Sequence, residues 1–326
     1  MTAPGLGLGL DIGGTNFRIA TFAADGLVPL HVHKEEVGEA RDPASIVERI
    51  AAAAERLVGG TDDVTMGVGI AAMLRDRQGT VARSPHLRWR DVAFGRQLAA
   101  RLGTRYSIGV YNDVNAIVWG ETVAGAARGC RDVLGVYVGT GIGGGVVADG
   151  QLVEGASNCA GEIGHTKVRW DDDAAPCACG QRGCIEAYLG GSYVAKRIAA
   201  ELAAGAKSSA VGIAGSIDEV MASHVDQAAA EGDEWALELW SELAPLLGVV
   251  LANAAAVLNP ERLVLGGGML SRTPLLYDLV VTALTVAAPV AIMETLDVVP
   301  AELGDEAGLV GAAALARDGV SLVKEL

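Results

Sequence analysis

Aromatic side chains and basic residues are both scarce in this chain of 326 residues. Phe, Trp and Tyr make up 4% of the sequence, and 25 Lys and Arg stand against 40 Asp and Glu, which gives a formal net charge of -15. A surface that binds nucleic acid or an anionic membrane needs a basic face, so this charge balance argues against both. Abundant Ala and Gly favour an α/β core in which backbones pack closely.

The sequence also lacks a secretory signal and a long apolar span. Met1-Thr2-Ala3-Pro4 has no basic region followed by an apolar one. The longest apolar run, Leu246 to Leu258, is too short for a bilayer and contains Asn253, so we expect a buried core helix there. The five cysteines are an odd number and do not form a disulfide pattern, so we expect a cytoplasmic protein.

Three of the cysteines are clustered and follow a histidine. His165, Cys177, Cys179 and Cys184 lie within twenty residues of chain, with two glycines between the last two cysteines. Zn²⁺ favours four tetrahedral nitrogen and sulfur ligands, and these side chains would fill that shell. The spacing therefore predicts a structural zinc site with no open position. Three buried thiols and a core histidine are the weaker alternative.

Two segments have the pattern of a strand, a glycine-rich turn and a second strand. One runs from Leu6 to Phe22 around Gly13 and Gly14, and the other from Val133 to Val147 around Gly139 to Gly145. We expect positive φ angles at Gly13 and Gly14. Two such hairpins suggest an internal duplication and predict two similar α/β lobes that face each other across a cleft.

Periodicity predicts further strands and helices along the chain. Strands are expected at residues 64–70, 106–111 and 261–265. Helices are expected at residues 42–57, 92–102, 191–203, 216–224, 227–258 and 308–316. Pro245 predicts a break in the fifth of these helices, because proline removes a helical hydrogen bond. The last helix is expected to pack on the first lobe.

The glycine-rich turns are candidate anion sites, because glycine exposes backbone N–H groups without a Cβ in the way. Gly139 to Gly144 matches the dinucleotide pattern GxGxxG, but a strand follows instead of the required helix, so that fold is rejected. Two turns with Thr15 and Thr140, together with Gly266-Gly267-Gly268, favour a nucleotide over ordinary hairpins. Asp11 beside the first turn could hold Mg²⁺ through water.

Asn112-Asp113 directly follows the strand expected at 106–111. In open α/β sheets, ligands bind beyond the carboxyl ends of strands. Asp113 could accept the proton of a hydroxyl that attacks phosphorus, while Asn112 binds a neighbouring hydroxyl. A helix N-cap explains the same pair equally well, so the spacing alone leaves both interpretations open.

Together these segments resemble the ROK family of sugar kinases and sugar-responsive repressors. The segments that carry the resemblance are Asp11 to Thr15, Ser84 to Trp89, Asn112 to Ala116, Gly139 to Gly145, Gly161 to His165 and Cys177 to Glu186. The resemblance implies an α/β, actin-like, hexokinase-type (ribonuclease H-like) fold of two lobes with an interlobe cleft. We expect a small lobe of residues 1–115, completed by a C-terminal helix at 307–326, and a large lobe of residues 116–306 with the zinc loop.

The resemblance further implies that the ATP γ-phosphoryl group is transferred to a hexose hydroxyl, usually O6, as in a glucokinase. Asp113 would be the general base, and His165 would bind zinc with one ring nitrogen and face the sugar with the other. The residues expected to bind sugar are Asn112, Asp113, Glu162, His165 and Glu186. Those expected at the nucleotide and its Mg²⁺ are Asp11, Gly13, Gly14, Thr15, Asn16, Gly139, Thr140, Gly141, Gly143, Gly266, Gly267 and Gly268.

Two positions depart from the family pattern. Ala71-Ala72-Met73 stands where a Pro-Gly or Ala-Gly pair is frequent, so Met73 could reshape the pocket near O2 or O3, and Asn16 replaces a frequent Lys. A kinase for N-acetylglucosamine, N-acetylmannosamine or kanosamine therefore stays open beside a glucokinase. The acidic charge and the short segment before Asp11 argue against a DNA-binding repressor of this family. The resemblance also suggests a homodimer or homotetramer.

Overall fold

The structure is a computed structural model, and it describes residues 6–323 of the chain. The chain divides into two compact units, and each is described by itself. Unit 1 contains the chain up to Arg131, residues 145–161 and the chain from Glu302 onward, whereas unit 2 contains residues 132–144 and 162–301. The predicted lobe boundaries at 115/116 and 306/307 stay a prediction, and their outermost parts, 1–5 and 324–326, lie outside the described residues.

Strands and helices alternate along the described chain. The strands are β1 Leu6–Ile12, β2 Asn16–Ala23, β3 His31–Glu36, β4 Val64–Ile70, β5 Met73–Leu74, β6 Val81–Ser84, β7 Trp89–Val92, β8 Tyr106–Asn112, β9 Val133–Val138, β10 Ile142–Ala148, β11 Gln151–Leu152, β12 Arg262–Gly266 and β13 Asp297–Pro300. The α-helices are α1 Pro43–Val58, α2 Phe94–Leu102, α3 Asp113–Ala124, α4 Glu186–Leu189, α5 Gly191–Ala203, α6 Ala210–Ala214, α7 Ala222–Ala230, α8 Glu234–Leu258, α9 Pro274–Ala287, α10 Val290–Met293 and α11 Ala307–Arg317.

Two five-stranded sheets repeat one strand pattern. Their orders are β3-β2-β1-β4-β8 and β11-β10-β9-β12-β13, and a small third sheet has the order β5-β6-β7. In the first sheet β1 pairs antiparallel with β2 and parallel with β4, which in turn pairs parallel with β8. In the second, β12 pairs parallel with both β9 and β13. The shared strand order confirms the duplication that the two hairpins predict.

The first sheet and α1 form the apolar core of unit 1. Asp42 caps α1, because its Oδ1 accepts the backbone N–H of Ser45 at 2.8 Å, and Pro43 stands in the first turn. The helix then buries Ile46 and Ile50 in the same cluster as the apolar residues of β1, β4 and β8. The amphipathic sequence of residues 42–57 thus produces the predicted helix.

Helix α11 packs closely on α3, β1 and β4 in unit 1. A Cβ added to Gly311 would lie 1.7 Å from the carbonyl oxygen of Ala116, and one added to Gly67 would lie 1.7 Å from that of Ala312. Only glycine permits these backbone approaches. The prediction that the last helix packs on the first part of the chain is confirmed.

Two helix predictions in unit 2 are wrong. The helix expected at 216–224 is instead a single 3₁₀ turn at 217–219 followed by the start of α7. Pro245 does not break α8, because it lies on the exposed face, where water can bind the carbonyl that loses its partner. The break lies at Gly232, whose φ of 93° ends the preceding helix.

Helix α8 is long and apolar enough to cross a membrane by length and composition. It packs against α7 and α9, and Leu243, Leu247 and Leu251 on its inner face are buried. The inner face of the helix is therefore buried, as the sequence predicts for residues 246–258, whereas Val249 and Val257 are exposed.

We expect Gly311→Ala to destabilise unit 1 by about 1 to 3 kcal/mol, since the added methyl group has no space between α11 and α3. Urea unfolding followed by circular dichroism measures this as a lower midpoint. Gly212→Ala in α6 is the matched control, because a Cβ there meets no atom within 4 Å. Equal midpoints for the two variants would contradict the close-packing explanation.

Candidate active site and metal centre

Asn112 ends β8 and caps α3. Its Oδ1 accepts the backbone N–H groups of Val114 at 2.9 Å and Asn115 at 3.1 Å, and its Nδ2 donates to the carbonyl of Ala72 at 3.2 Å. The N-cap interpretation is therefore correct, and the three bonds fix the direction of the side chain. Asp113, half-buried, begins the helix, where the positive end of the helix dipole favours a carboxylate.

The segment after β4 lies beside this cap. The hydroxyl of Ser84, which is fully buried, donates to the carbonyl of Ala71 at 2.7 Å and accepts the N–H of Leu87 at 3.3 Å. These bonds connect the segment at 84–89 to residues 71–72. Met73 follows at the start of β5, and its side chain is 38% exposed.

Neither glycine of the first glycine turn adopts the left-handed backbone conformation. The N–H of Gly13 donates to the carbonyl of Asn16 at 3.0 Å, and neither Gly13 nor Gly14 has a positive φ. The expectation of positive φ angles is therefore wrong. Glycine is needed at Gly14 for space, because a Cβ there would lie 2.8 Å from the Cβ of His86.

Asp11 is held by an arginine across the hairpin. The two residues are partners in the β1–β2 pairing, and Arg18 Nη2 lies 2.6 Å from Asp11 Oδ2. The sequence reasoning missed Arg18, although the antiparallel register of a tight hairpin places residues 11 and 18 opposite each other. Asp11 is thus the carboxylate that this turn offers to a metal ion, and it is paired with the guanidinium of Arg18.

The second glycine turn is held by the start of α5. Gly139 donates its N–H to the carbonyl of Gly141 at 2.9 Å. The N–H of Gly191 then donates to the carbonyl of Gly139, and that of Ser192 to the carbonyl of Thr140, each at 2.9 Å. Two of the first helical amides therefore fix the turn instead of remaining without a partner.

A cleft of about 430 Å³ lies beside this turn in unit 2. Its walls include Thr140, Ala195 on α5, Met221 before α7, and Gly268 and Met269 after β12. This volume suits a small molecule, and the mostly apolar lining is typical of a ligand pocket. Sequence reasoning found the glycines but missed the apolar wall, which is distant along the chain.

The third glycine run also shapes this region. Gly267 has a φ of 94°, and a Cβ on it would lie 2.5 Å from the carbonyl oxygen of Val138. Gly268 is open, with no atom within 4 Å of an added Cβ. Gly267 therefore allows the backbone to pack closely against β9, and Gly268 faces open space.

The predicted metal ligands converge. One ligand atom from each of His165, Cys177, Cys179 and Cys184 lies within 4.8 Å of all the others. Cys177 Sγ is 3.7 Å from His165 Nδ1, and Cys179 Sγ is 3.7 Å from Cys184 Sγ. Tetrahedral zinc with bonds of about 2.3 Å places its sulfur ligands about 3.8 Å apart, so the cluster fits this ion.

Two glycines let the loop turn around the cluster. Gly180 and Gly183 have φ angles of 92° and 76°, and a Cβ on Gly183 would lie 1.7 Å from the carbonyl oxygen of Arg169. Burial raises the pKa of the Cys177 thiol to about 12. A thiolate at this position therefore needs a nearby cation, which a bound metal supplies.

Glu162 and Glu186 flank the cluster. His165 points Nδ1 at the thiols and Nε2 towards Glu162 Oε2 at 3.7 Å, the orientation that a double role of the imidazole requires. Burial raises the pKa of Glu162, His165 opposes this, and the nearby charge of Glu186 raises it further. An acidic, partly buried surface thus adjoins the metal centre.

Glu186 also contacts the second glycine turn. Its Oε2 accepts the N–H of Ile142 at 3.0 Å, and its Oε1 lies 3.6 Å from Cys177 Sγ. A Cβ on Gly141 would lie 2.4 Å from Glu186 Oε2, so a larger residue there would displace the carboxylate. One oxygen of Glu186, which the resemblance assigns to the sugar, is thus already bonded to the backbone.

The predicted site residues fall into two groups, one in each unit. Unit 1 holds Asp11, Gly13, Gly14, Thr15, Asn16, Asn112 and Asp113. Unit 2 holds Gly139, Thr140, Gly141, Gly143, Glu162, His165, Glu186, Gly266, Gly267 and Gly268 together with the three cysteines of the metal cluster.

The chain is similar to known proteins along nearly its whole length, including both groups of predicted site residues. The chain matches the family model described as "ROK family" over residues 7–319. It is 34% identical over 323 residues to a glucokinase of Streptomyces coelicolor, covering 96% of this chain and 98% of the relative. An N-acetyl-D-glucosamine kinase of Photobacterium profundum is 29% identical over 317 residues, covering 94% and 98%.

A solved structure agrees with the sequence matches. It is a ROK family glucokinase from Streptomyces griseus in complex with glucose and AMPPNP, with a TM-score of 0.78 and 31% identity over 97% of this chain and 100% of that one. The α/β, actin-like, hexokinase-type fold is therefore confirmed. Because the family model covers nearly the whole sequence, the protein belongs to the ROK family.

Proposed function

We propose that this protein is a glucokinase, which transfers the γ-phosphoryl group of ATP to O6 of glucose. The observation that carries the proposal is the similarity to glucokinases along nearly the whole chain, one of which has a structure with glucose and AMPPNP. The protein is accordingly an ATP-dependent sugar kinase, and glucose is the sugar named for the glucokinase relative and for the solved structure.

Asp113 is the proposed general base. It would accept the O6 proton while O6 attacks the γ-phosphorus. The new O6–P bond forms as the bond from that phosphorus to the β,γ-bridging oxygen breaks, which releases ADP. The position of Asp113 after the capped end of β8 supports this role, as does the hydrogen-bonded Asn112 beside it. Phosphoryl transfer depends mainly on such positioning and on charge neutralisation.

The sugar hydroxyls are proposed to bind Asn112 and Asp113 at one end and Glu162, His165 and Glu186 at the other. Carboxylates accept bonds from hydroxyl groups, and an analogue without a bonded hydroxyl leaves buried polar groups unpaired. The imidazole orientation of His165 and the partial burial of Glu162 support this assignment.

The nucleoside of ATP is proposed to occupy the cleft in unit 2, and the phosphates to bind the glycine turns. Ala195 and Met269 provide an apolar wall for a base, and Gly268 leaves open space. At the first turn, Asp11 would hold Mg²⁺ through water. One carboxylate is enough, because Mg²⁺ usually keeps several waters and binds substrate phosphates. Bound Mg²⁺ would neutralise charge on the phosphates.

The metal of the Cys and His cluster is proposed to be structural Zn²⁺. Its four ligands complete a tetrahedral shell, so the ion would order the loop and leave no position for substrate. The five cysteines are free, which fits the reducing cytoplasm where we place the protein. The expected homodimer or homotetramer stays a prediction.

An amino-sugar kinase is the second candidate. The partly exposed Met73 next to the Asn112 cap favours it, since a changed pocket near O2 or O3 would alter selectivity there. The similarity to an N-acetyl-D-glucosamine kinase supports the same alternative.

A substrate panel tests the proposal directly. We expect kcat/KM, measured by coupled ADP release, to be highest for glucose among glucose, mannose, N-acetylglucosamine, N-acetylmannosamine and kanosamine. A pocket whose polar groups pair with the glucose hydroxyls should favour glucose by at least about tenfold. A higher kcat/KM for an amino sugar would replace the glucokinase assignment with the second candidate.

We expect Asp113→Ala to lower kcat by about 10² to 10⁴-fold, because the attacking hydroxyl loses its base. Coupled ADP release measures the rate, and circular dichroism checks that the fold is kept. Asp172→Ala, in the exposed acidic loop, is the matched control and should keep normal turnover. Near-normal activity of Asp113→Ala would remove the assigned base.

We expect Cys179→Ser to lose bound zinc and to weaken glucose binding, since the loop that holds Glu186 loses a ligand. Zinc per chain measured by atomic emission, and glucose affinity measured by calorimetry, provide the two readouts. Cys159→Ser is the control, because Cys159 lies outside the cluster. Full zinc content with unchanged glucose affinity would refute the coupling.

A further inference from the structure

Asp226 is a buried carboxylate with no part in the proposed chemistry. It lies on α7, and the residue is 3% exposed. A buried carboxylate costs free energy unless hydrogen bonds compensate it. Its partners therefore indicate what it does.

Both oxygens of Asp226 bind backbone amides at the start of α9. Oδ2 accepts the N–H of Leu275 at 3.1 Å, and Oδ1 accepts the N–H of Leu276 at 2.9 Å. Burial raises the pKa of Asp226, while these two amides and the neighbouring side chain of Trp240 favour the charged form. The bidentate contact fixes α7 and α9 at one separation and one orientation.

Helix α9 has no side-chain cap of its own. Thr273, at the capping position, instead donates its hydroxyl to the carbonyl of Met269 at 3.0 Å. Pro274 has no N–H, so the next two amides are the first that need acceptors. Asp226 supplies both acceptors from a distant part of the sequence, and its charge suits the positive end of the helix.

The two elements that Asp226 joins also line the cleft. Ala222 and Ser223 at the start of α7 contribute one part of the wall, and Arg272 and Thr273 just before α9 contribute another. Asp226 lies one helical turn beyond Ala222, and Leu275 lies two residues beyond Thr273. The carboxylate therefore sets the spacing between these two parts of the wall.

We propose that Asp226 is a positioning residue of the donor site, which holds the cleft in the shape that binds the nucleotide. This inference rests on the proposed function only in assigning the cleft to ATP. Asp226 does not line the cleft, so it acts through the wall and not by contact with the nucleotide.

The experiment compares AMPPNP and glucose affinities, measured separately by calorimetry, in the wild type and in Asp226→Asn. One amide N–H of Leu275 or Leu276 would then face the NH₂ group of asparagine. We expect the Kd for AMPPNP to rise about tenfold, which corresponds to about 1.4 kcal/mol, because the two parts of the wall are no longer held at the spacing that binds the nucleotide. The Kd for glucose should stay within about twofold. An unchanged Kd for AMPPNP would overturn the inference.

Asp233→Asn is the matched control. Asp233 also binds two backbone amides, those of Ala236 at 2.9 Å and Ser209 at 2.7 Å, but the helices that it joins, α6 and α8, do not line the cleft. If Asp226 only stabilised the fold, both variants would lower the urea midpoint, and their Kd values for AMPPNP would be equal to each other. A rise in Kd confined to Asp226→Asn supports positioning, and equal effects of the two variants would overturn it.

Ala195→Trp separates this inference from the donor assignment itself. A large side chain at Ala195, which lines the cleft, should block AMPPNP and spare glucose binding. If Ala195→Trp binds AMPPNP normally, the proposed donor cleft is wrong. If it blocks AMPPNP while Asp226→Asn binds normally, the cleft stands and the positioning role alone fails.

Hydrogen exchange of the unmodified protein gives an answer even if Asp226→Asn does not fold. We expect AMPPNP to slow exchange of the Leu275 and Leu276 amides, because the occupied cleft holds their acceptor in place. Glucose alone should leave both unchanged. Unaltered exchange at saturating AMPPNP would contradict the coupling between cleft and cap.

Discussion

The carboxylate of Glu186 joins the metal loop to the second glycine turn, and unit 2 is organised around that junction. One oxygen accepts the N–H of Ile142, and the other lies beside the thiol of Cys177. The carboxylate occupies the space that a Cβ at residue 141 would need, so a larger residue there would displace the acid from these contacts. A metal that orders the thiols would thereby order the acid and the turn together. The proposed sugar site and the proposed donor site would then both depend on the position of Glu186, although no residue is assigned to both sites.

Local sequence patterns predicted the parts of the structure that local physics determines. The hairpins, the strand at 64–70 and the helix at 191–203 follow from periodicity, and the metal cluster follows from four ligands within twenty residues of chain. Two signals misled for identifiable reasons. Pro245 is compatible with a long helix because the carbonyl of Ser241, which loses its N–H partner, lies on the exposed face. The first glycine turn needs small residues for packing instead of positive φ angles. A glycine in the sequence does not by itself show whether its position needs a positive φ angle or only a small residue.

The remainder could not be predicted because it depends on contacts between distant residues. Asp226 and the amides that it binds are about fifty residues apart, and the Thr273-Pro274 start of α9 does not reveal that its cap comes from another helix. The apolar wall of the cleft is assembled from α5, the segment before α7 and the segment after β12, which lie far apart in the sequence. Sequence reasoning therefore located the glycine turns of the candidate donor site and missed the surface that would select a nucleoside.

The acidic composition limits how a site in this protein can attract a nucleotide. A net charge of -15 repels ATP at long range, so attraction must come from short-range dipoles and from the few fixed cations. Glycine turns supply such dipoles because backbone N–H groups carry no counter-charge and need no flexible side chain to be ordered. Arg18 adds a guanidinium that Asp11 already holds in place. Because such contacts act at close range and are partly shielded from solvent, salt should weaken nucleotide binding much less than it weakens binding to an exposed basic surface.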